Sequence, residues 1–362
     1  MLALVPLLLA ATPAFPAARG KRGRPAAPAH ATTQPVPGFG YKTTGGSGRP
    51  AFMVTTLADS GAGSLRDALA NAARAGGTIR FAVGGGIRLE SGLDVPGRTT
   101  VDGSSAPKPG ITLWGERAGA AGTGVVNLYE SNVVLRGLRI RNGMNDGVHI
   151  APRRRRAVAN VVVDHCSITN NRDGGIDITG REDLSVTDVT VLANYIAGNG
   201  GPCAKGLCGG GSLANHGATR LSYYFNFWDK NLRRTPSVVG PDAIADVRYN
   251  VVRATEQGGI QIRDSARANL IGNTLEGEKG STAAVELWGG RAHVDQTPSD
   301  VTSQSAIAAF SVPAVPSARP ASVVMRDAGA LPRDPLDTFF VETATTLKQL
   351  QSHASSAGAS PP

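Results

Sequence analysis

The sequence predicts an all-β solenoid, and three observations carry that expectation. Apolar runs recur every 23 to 32 residues, turn formers crowd between them, and asparagines return in register. The runs begin at Val133 (VVLRGLRI), Val161 (VVVDHCSI), Val189 (VTVLANYI), Leu221 (LSYYFNFW), Ala245 (ADVRYNVV) and Ala268 (ANLIGNTL), at intervals of 28, 28, 32, 24 and 23 residues. Alternation such as Val161/Val163 and Leu221/Tyr223 turns one face of each run inward. Five residues beyond the last four starts stand Asn194, Asn226, Asn250 and Asn273, whose amides can bond to the copies above and below and fix the stacking register. With 46 glycines, 23 prolines and 5% aromatic residues, the chain has the makeup of many short strands joined by many bends. A length of 362 residues is large for one spherical core, but a solenoid grows by adding coils.

The elements follow in order. Residues 1–18 (MLALVPLLLAATPAFPAA) are an apolar run ending in small residues and read as a secretory signal peptide, though without a basic leading region. The run is too short and too interrupted by proline to span a bilayer. Residues 19–37 are rich in Lys, Arg, Pro and Ala without an apolar period, and read as a flexible linker. Ser64-Leu65-Arg66-Asp67-Ala68-Leu69 has an N-cap serine three residues before an acid and apolar residues at helical spacing, which predicts an amphipathic helix capping the open end of the stack. The earliest coils are TIRFAV, GIRLE and TTVDG, and the solenoid is expected to span 38–280. The remainder, 281–362, is Ser/Thr/Pro/Ala-rich and is expected to wrap around the stack or be partly disordered, with one apolar run of helical character at Phe339 to Leu350.

Charge and cysteines narrow the function classes. A net charge of +9 favours an acidic partner: nucleic acid, an anionic surface or an acidic polysaccharide. The run Arg153 to Arg156 has no interleaved aromatic residue and reads as a solvated patch at a coil corner, so nucleic acid is not expected. Export would place the three cysteines in an oxidising compartment. Cys203 and Cys208 flank Lys205 in CAKGLC and are expected to form a disulfide, while Cys166 reads as a buried free thiol. His165 beside Asp164 reads as a hydrogen-bonded structural histidine, and six histidines without paired spacing argue against zinc.

Charged residues recur at nearly one offset from the strand starts: Asp146 at 13, Asp173 at 12 and Arg234 at 13, with Asp177 and Lys205 both at 16. With neighbouring strands roughly 4.8 Å apart, that register would gather all five on one side of the stack. Taken singly, Asn145-Asp146-Gly147 and Asp173-Gly174-Gly175 are ordinary turn sequences and Lys205 is a solvated loop lysine. The shared register is what makes them a candidate site.

GFGYKTTGG (38 to 46), VTTLADSGAGSLRDAL (54 to 69), VDHCSITNNRDGGIDI (163 to 178), CAKG (203 to 206) and NLRRTP (231 to 236), taken in order, resemble the pectate lyase family of right-handed parallel β-helices. The resemblance covers about 38 to 280, and weakly MRDAGALPRDP (325 to 335). It implies that Asp146, Asp173 and Asp177 bind calcium, that Lys205 meets a substrate carboxylate, and that Arg234, two residues ahead of Pro236, abstracts a proton. Three positions depart from the family pattern: Val239 stands where a second substrate-binding arginine is usual, Met144 where some members carry another acid, and Val162 or Val163 where an aromatic precedes the Asp-His pair.

Such a cluster suits the chemistry the resemblance implies. Removing the proton α to a uronate carboxylate builds charge on a group that is already anionic, and a divalent cation with an ammonium offsets it. Calcium accepts the hard oxygen ligands that three carboxylates, water and substrate supply. An arginine base has a pKa above about 12, so its neutral fraction rises with pH and an alkaline optimum is expected. The leading expectation is therefore a secreted (extracellular or periplasmic), monomeric, calcium-dependent lyase of polygalacturonate or a related acidic polysaccharide, bound neither to nucleic acid nor to membrane. One alternative is a β-helical glycosidase using Asp146 with Asp173 or Asp177 as its acid and base, which would leave Lys205 and Arg234 idle. The other is a non-catalytic polysaccharide-binding β-helix, which Val239 keeps open.

Overall fold

The computed structural model describes residues 36–119, 122–181, 183–203, 206–277, 285–299, 302 and 304–342. The expected signal peptide, most of the linker and Lys205 lie outside the described residues.

Each coil supplies three strands. One coil runs Val158–Asp164, Ser167–Thr169 and Gly174–Thr179 before the next begins at Val186. Equivalent strands stack in parallel into sheets of ten, eight and eight strands, a parallel β-helix. The register is the one the apolar period predicts: Val133, Val161, Val189, Leu221, Ala245 and Ala268 pair in succession along the first sheet. The column extends back to Thr99 and forward to Ala292. The stack therefore runs past 280, with Val285–Trp288 completing the coil begun at Ala268 and Arg291–Asp295 opening the next. Only Ala292 and Val294 are apolar in RAHVD, which leaves too weak an alternation to register as a strand in the sequence.

Two asparagine ladders fix the stacking. Backbone N–H groups of Asn194, Asn226 and Asn250 donate to the Oδ1 of the next asparagine at 3.0, 3.0 and 3.1 Å, and Asn273 ends the series on Thr297 Oγ1. Cys166, buried and unbridged, occupies the same rung one coil earlier and donates its N–H to Asn194 Oδ1. A second ladder joins Asn171 to Asn199 and Asn199 to Asn231 at 3.0 and 3.2 Å. Each member of this second ladder lies ten residues beyond a strand start, a recurrence the sequence reading did not use. A buried amide left unpaired would cost about 1–3 kcal/mol, so each ladder penalises any slip of one coil past another.

The remaining segments close the stack. Helix Leu65–Ala75 starts where Ser64 accepts the Asp67 N–H at 3.2 Å, and it buries Leu65, Ala68, Leu69 and Ala72 in the core beside Val54 and Ile79. It is the expected capping helix. On the first sheet's outer face, Phe39 and Gly40 donate backbone N–H groups to Ser222 Oγ and Thr190 Oγ1 at 2.9 and 3.0 Å. On the second, Arg141 pairs with Asp334 at 2.7 Å and Asp337 at 2.6 Å, and helices Ala321–Asp327 and Pro335–Glu342 pack Val324, Leu336 and Phe340 against Tyr195 and Phe227. These contacts hold the chain against the second sheet as far as residue 342, and the helix near Phe339 begins at Pro335; residues 343–350 lie outside the described residues. On the third sheet His149, Asp177 and Leu213 follow one another on the outward face and stay partly exposed.

Candidate active site

The charged residues meet where the second sheet turns into the third. Asp146 opens the strand Asp146–Ile150, Asp173 directly precedes Gly174–Thr179, and Arg234 stands just before Ser237–Val239. The turns rest on one another through backbone hydrogen bonds: Asp173 N–H to Asn145 O at 3.0 Å, Gly210 N–H to Asp173 O at 3.2 Å, and Ser212 N–H to Arg234 O at 2.8 Å. Equal offsets in sequence have become neighbours in space. Arg234 adopts a left-handed backbone (φ 61°) between Arg233 and Thr235.

Glycines leave room for two close approaches. An added Cβ on Gly174 would lie 2.2 Å from Asp177 Oδ1 and 3.0 Å from Asp146 Oδ1, so the two carboxylates flank the space that Gly174 leaves empty. Gly174 also donates its N–H to Asp146 Oδ1 at 2.9 Å. At Gly210 (φ 145°) a Cβ would meet Arg233 O at 2.1 Å, which only glycine avoids while keeping this backbone.

His149 is the site residue that sequence reasoning missed. Its Nδ1 lies 3.0 Å from Asp146 Oδ2, it pairs in register with Asp177, and the Tyr129 ring meets it edge-on at 6.2 Å. Its position on the outward face, three residues after Asp146 in DGVHI, was the available signal.

The site's electrostatics favour a cation. Burial pushes the Asp146 carboxyl up to about 8, with the Asp173 charge adding to the rise and the Gly174 N–H and Arg234 opposing it. Burial also holds the Asp177 carboxyl well above the usual carboxylate range, helped by Asp146 and Asp173 and opposed by Arg234 and His149. Burial lowers the His149 imidazole, as does Arg181, while Asp177 raises it. Asp146, Asp173, Asp177 and Arg234 thus lie within one another's fields.

Among the described residues no three His, Cys, Asp or Glu side chains converge closely enough to hold a metal ion. Two carboxylates do face each other over Gly174, and Asp173 adds a third negative charge. This donor chemistry, hard oxygens whose charges repel until a cation joins them, fits calcium.

Beside the cluster, Gly201–Cys203 and Gly206–Cys208 form an antiparallel hairpin closed by the expected Cys203–Cys208 disulfide. Arg233 anchors it, donating from Nη2 to Leu207 O at 3.0 Å and from Nε to Gly209 O at 3.3 Å. The other expectations fall elsewhere. His165 bonds Asp164, which also accepts from Arg136, on the first sheet. Arg153 pairs with Asp94 and lies 4.8 Å over the Tyr129 ring, an aromatic neighbour that linear sequence did not reveal. Met144 is exposed and Val239 partly so.

A family model described as a right handed beta helix region matches residues 123–298. A probable pectate lyase C of Emericella nidulans is 32% identical over 246 residues, covering 65% of this chain and 51% of that protein. One from Aspergillus fumigatus is 33% identical over 249 residues, covering 65% and 52%. The chain spans about half the length of these curated relatives. Among solved structures, the cedar pollen allergen Jun a 1 superposes with a TM-score of 0.57 at 20% identity, covering 81% of this chain and 92% of that one. Pectate lyase Bsp165PelA from Bacillus sp. N165, in complex with trigalacturonate, gives 0.54 at 14%, covering 81% and 98%. These two likenesses establish the fold, a right-handed parallel β-helix. The resemblance to the pectate lyase family read from the motifs is matched by the curated relatives.

Proposed function

We propose that this chain is a secreted, calcium-dependent lyase that cleaves polygalacturonate or a related uronate polymer by β-elimination. The observation that carries the proposal is the pairing of Asp146 and Asp177 across Gly174, with Asp173 and Arg234 in the same field. In this reading Asp146 and Asp177 would hold the cation, with Asp173 drawn in as it binds, and the cation would supply positive charge against the substrate carboxylate and acidify the α carbon. His149 orients Asp146 through its Nδ1 contact. Lys205, between Cys203 and Cys208 in the sequence, meets a substrate carboxylate and spreads its charge.

Arg234 takes the proton from C5. The electrons of the broken C–H bond form a C4=C5 double bond, the C4–O bond breaks, and the leaving oxygen collects a proton from solvent. Ser212 N–H fixes the backbone of Arg234 through its carbonyl, and no ion pair among the described residues engages the Arg234 guanidinium. Export is supported by the apolar leading run and by a disulfide suited to an oxidising compartment. Among the described residues no helix is long and apolar enough to cross a membrane.

The test is ultraviolet absorbance of the product on a panel of polygalacturonate, pectin and other uronate polymers, with and without calcium. Growth of absorbance from the new double bond with calcium present supports the proposal. A second reading has its own support: two facing carboxylates, one with its pKa raised to about 8, suit the acid pair of a retaining glycosidase, whose carboxyls stand about 5 Å apart. New reducing ends without absorbance would favour it.

A further inference from the structure

Arg263 and Trp288 lie on the outward face of the same third sheet. Arg263 ends the strand Ile260–Arg263 in register with Val239, and Trp288 ends the next strand, Val285–Trp288. The strand of Arg263 is three removed from that of Asp177 along the sheet, roughly 14 Å at about 4.8 Å per strand.

Three features set the pair apart from an ordinary surface contact. Trp288 is 52% exposed, the most exposed large apolar side chain among the described residues. The Arg263 guanidinium covers one part of the indole at 4.9 Å from the ring centroid, which holds both planar groups in fixed orientation. Arg263 Nε is buried without a hydrogen-bond partner, and no described carboxylate pairs with the guanidinium. Glu286, the neighbouring acid, instead accepts from Gln261 Nε2 at 2.7 Å. Arg263 also contributes to lowering the Arg233 pKa, behind burial and the charge of Arg234, so the positive field of the candidate site continues to this coil.

We propose that Arg263 and Trp288 form a distal subsite for one anionic sugar unit of a bound uronate chain. The inference rests on the reading of the candidate site as a uronate-polymer site and deepens it. An exposed indole offers a flat apolar surface to the C–H face of a sugar ring, and the guanidinium beside it offers a planar fork to the carboxylate on that ring. A neutral sugar would satisfy only half of this arrangement.

The test is equilibrium binding of galacturonate oligomers of increasing length to the full chain and to the variants Trp288→Ala and Arg263→Gln, followed by tryptophan fluorescence. Binding should strengthen once an oligomer is long enough to reach from Asp177 to Trp288, and each variant should lose about 10-fold at those lengths, a change of about 1.4 kcal/mol. The loss should be confined to long oligomers. Arg263→Gln should also narrow the preference for free over methyl-esterified oligomers. Thermal melts identify a misfolded variant, in which case Trp288→Phe and the length dependence of the unaltered chain decide. Length-independent binding, or equal losses on short and long oligomers, overturns the subsite. Length-dependent binding that needs Trp288, in a protein that makes no unsaturated product, keeps the subsite and overturns the lyase.

Discussion

Asp146 and Asp177 face each other across Gly174, their Oδ1 atoms 3.0 and 2.2 Å from the point a side-chain Cβ at Gly174 would occupy. Both lie in a setting that disfavours their charge, and that shared frustration sets the protein's response to pH and cation.

Without a cation, stability should fall as pH rises. The Asp146 carboxyl has a folded pKa of about 8 against an ordinary 3.8, so its contribution is full below about pH 4 and is lost as pH climbs through 8. Asp177 shifts in the same direction. The loss is on the order of several kcal/mol. Thermal melts in excess chelator should show a lower midpoint at pH 8 than at pH 5, and Asp146→Asn should flatten the decline. Calcium should restore the midpoint at pH 8 and do little at pH 5.

Activity should follow the same cation. Chelation should abolish product formation and added calcium restore it, and Asp177→Ala should raise the calcium concentration needed for half-maximal rate. Full activity in excess chelator would exclude the calcium assignment.

Arg234 and Arg233 are adjacent in sequence and differ in their contacts. Arg233 is tied to the carbonyls of Leu207 and Gly209, whereas no ion pair among the described residues engages Arg234, whose own carbonyl accepts the Ser212 N–H. Arg234→Lys should lower kcat and kcat/KM together by about 10²-fold or more, because a general base contributes about 10²–10⁴ and an ammonium cannot reproduce the guanidinium's placement. Arg233→Lys should loosen the hairpin and act mainly on KM. In the unaltered chain kcat should rise with pH. Near-normal kcat in Arg234→Lys, with only KM raised, would leave Arg234 as a substrate contact.

The disulfide is directly countable. Alkylation of the denatured, unreduced protein should label one cysteine, Cys166, and reduction should raise the count to the three in the sequence. Three labelled thiols without reductant would contradict the bridge.

The fold was legible because a parallel β-helix writes its register into the sequence. The period from Val133 to Ala268 and the asparagines from Asn194 to Asn273 are both local patterns with spatial consequences. The adjacency of Asp146, Asp173, Asp177 and Arg234 followed from the same register. His149 escaped because the search followed offsets shared between coils, whereas its partner Asp146 lies three residues back in its own strand. Arg263 and Trp288 escaped because Trp288 stands in a strand, Val285–Trp288, beyond residue 280, where the solenoid was expected to end.

Under the proposed function this site breaks a uronate chain by elimination. The most direct measurement is mass spectrometry of trigalacturonate products formed in heavy-oxygen water with calcium present. Elimination gives a fragment one water lighter than the saturated galacturonate of the same length, unsaturated at its non-reducing end, with no heavy oxygen introduced at the bond broken. Saturated fragments carrying solvent oxygen at the new reducing end would contradict it.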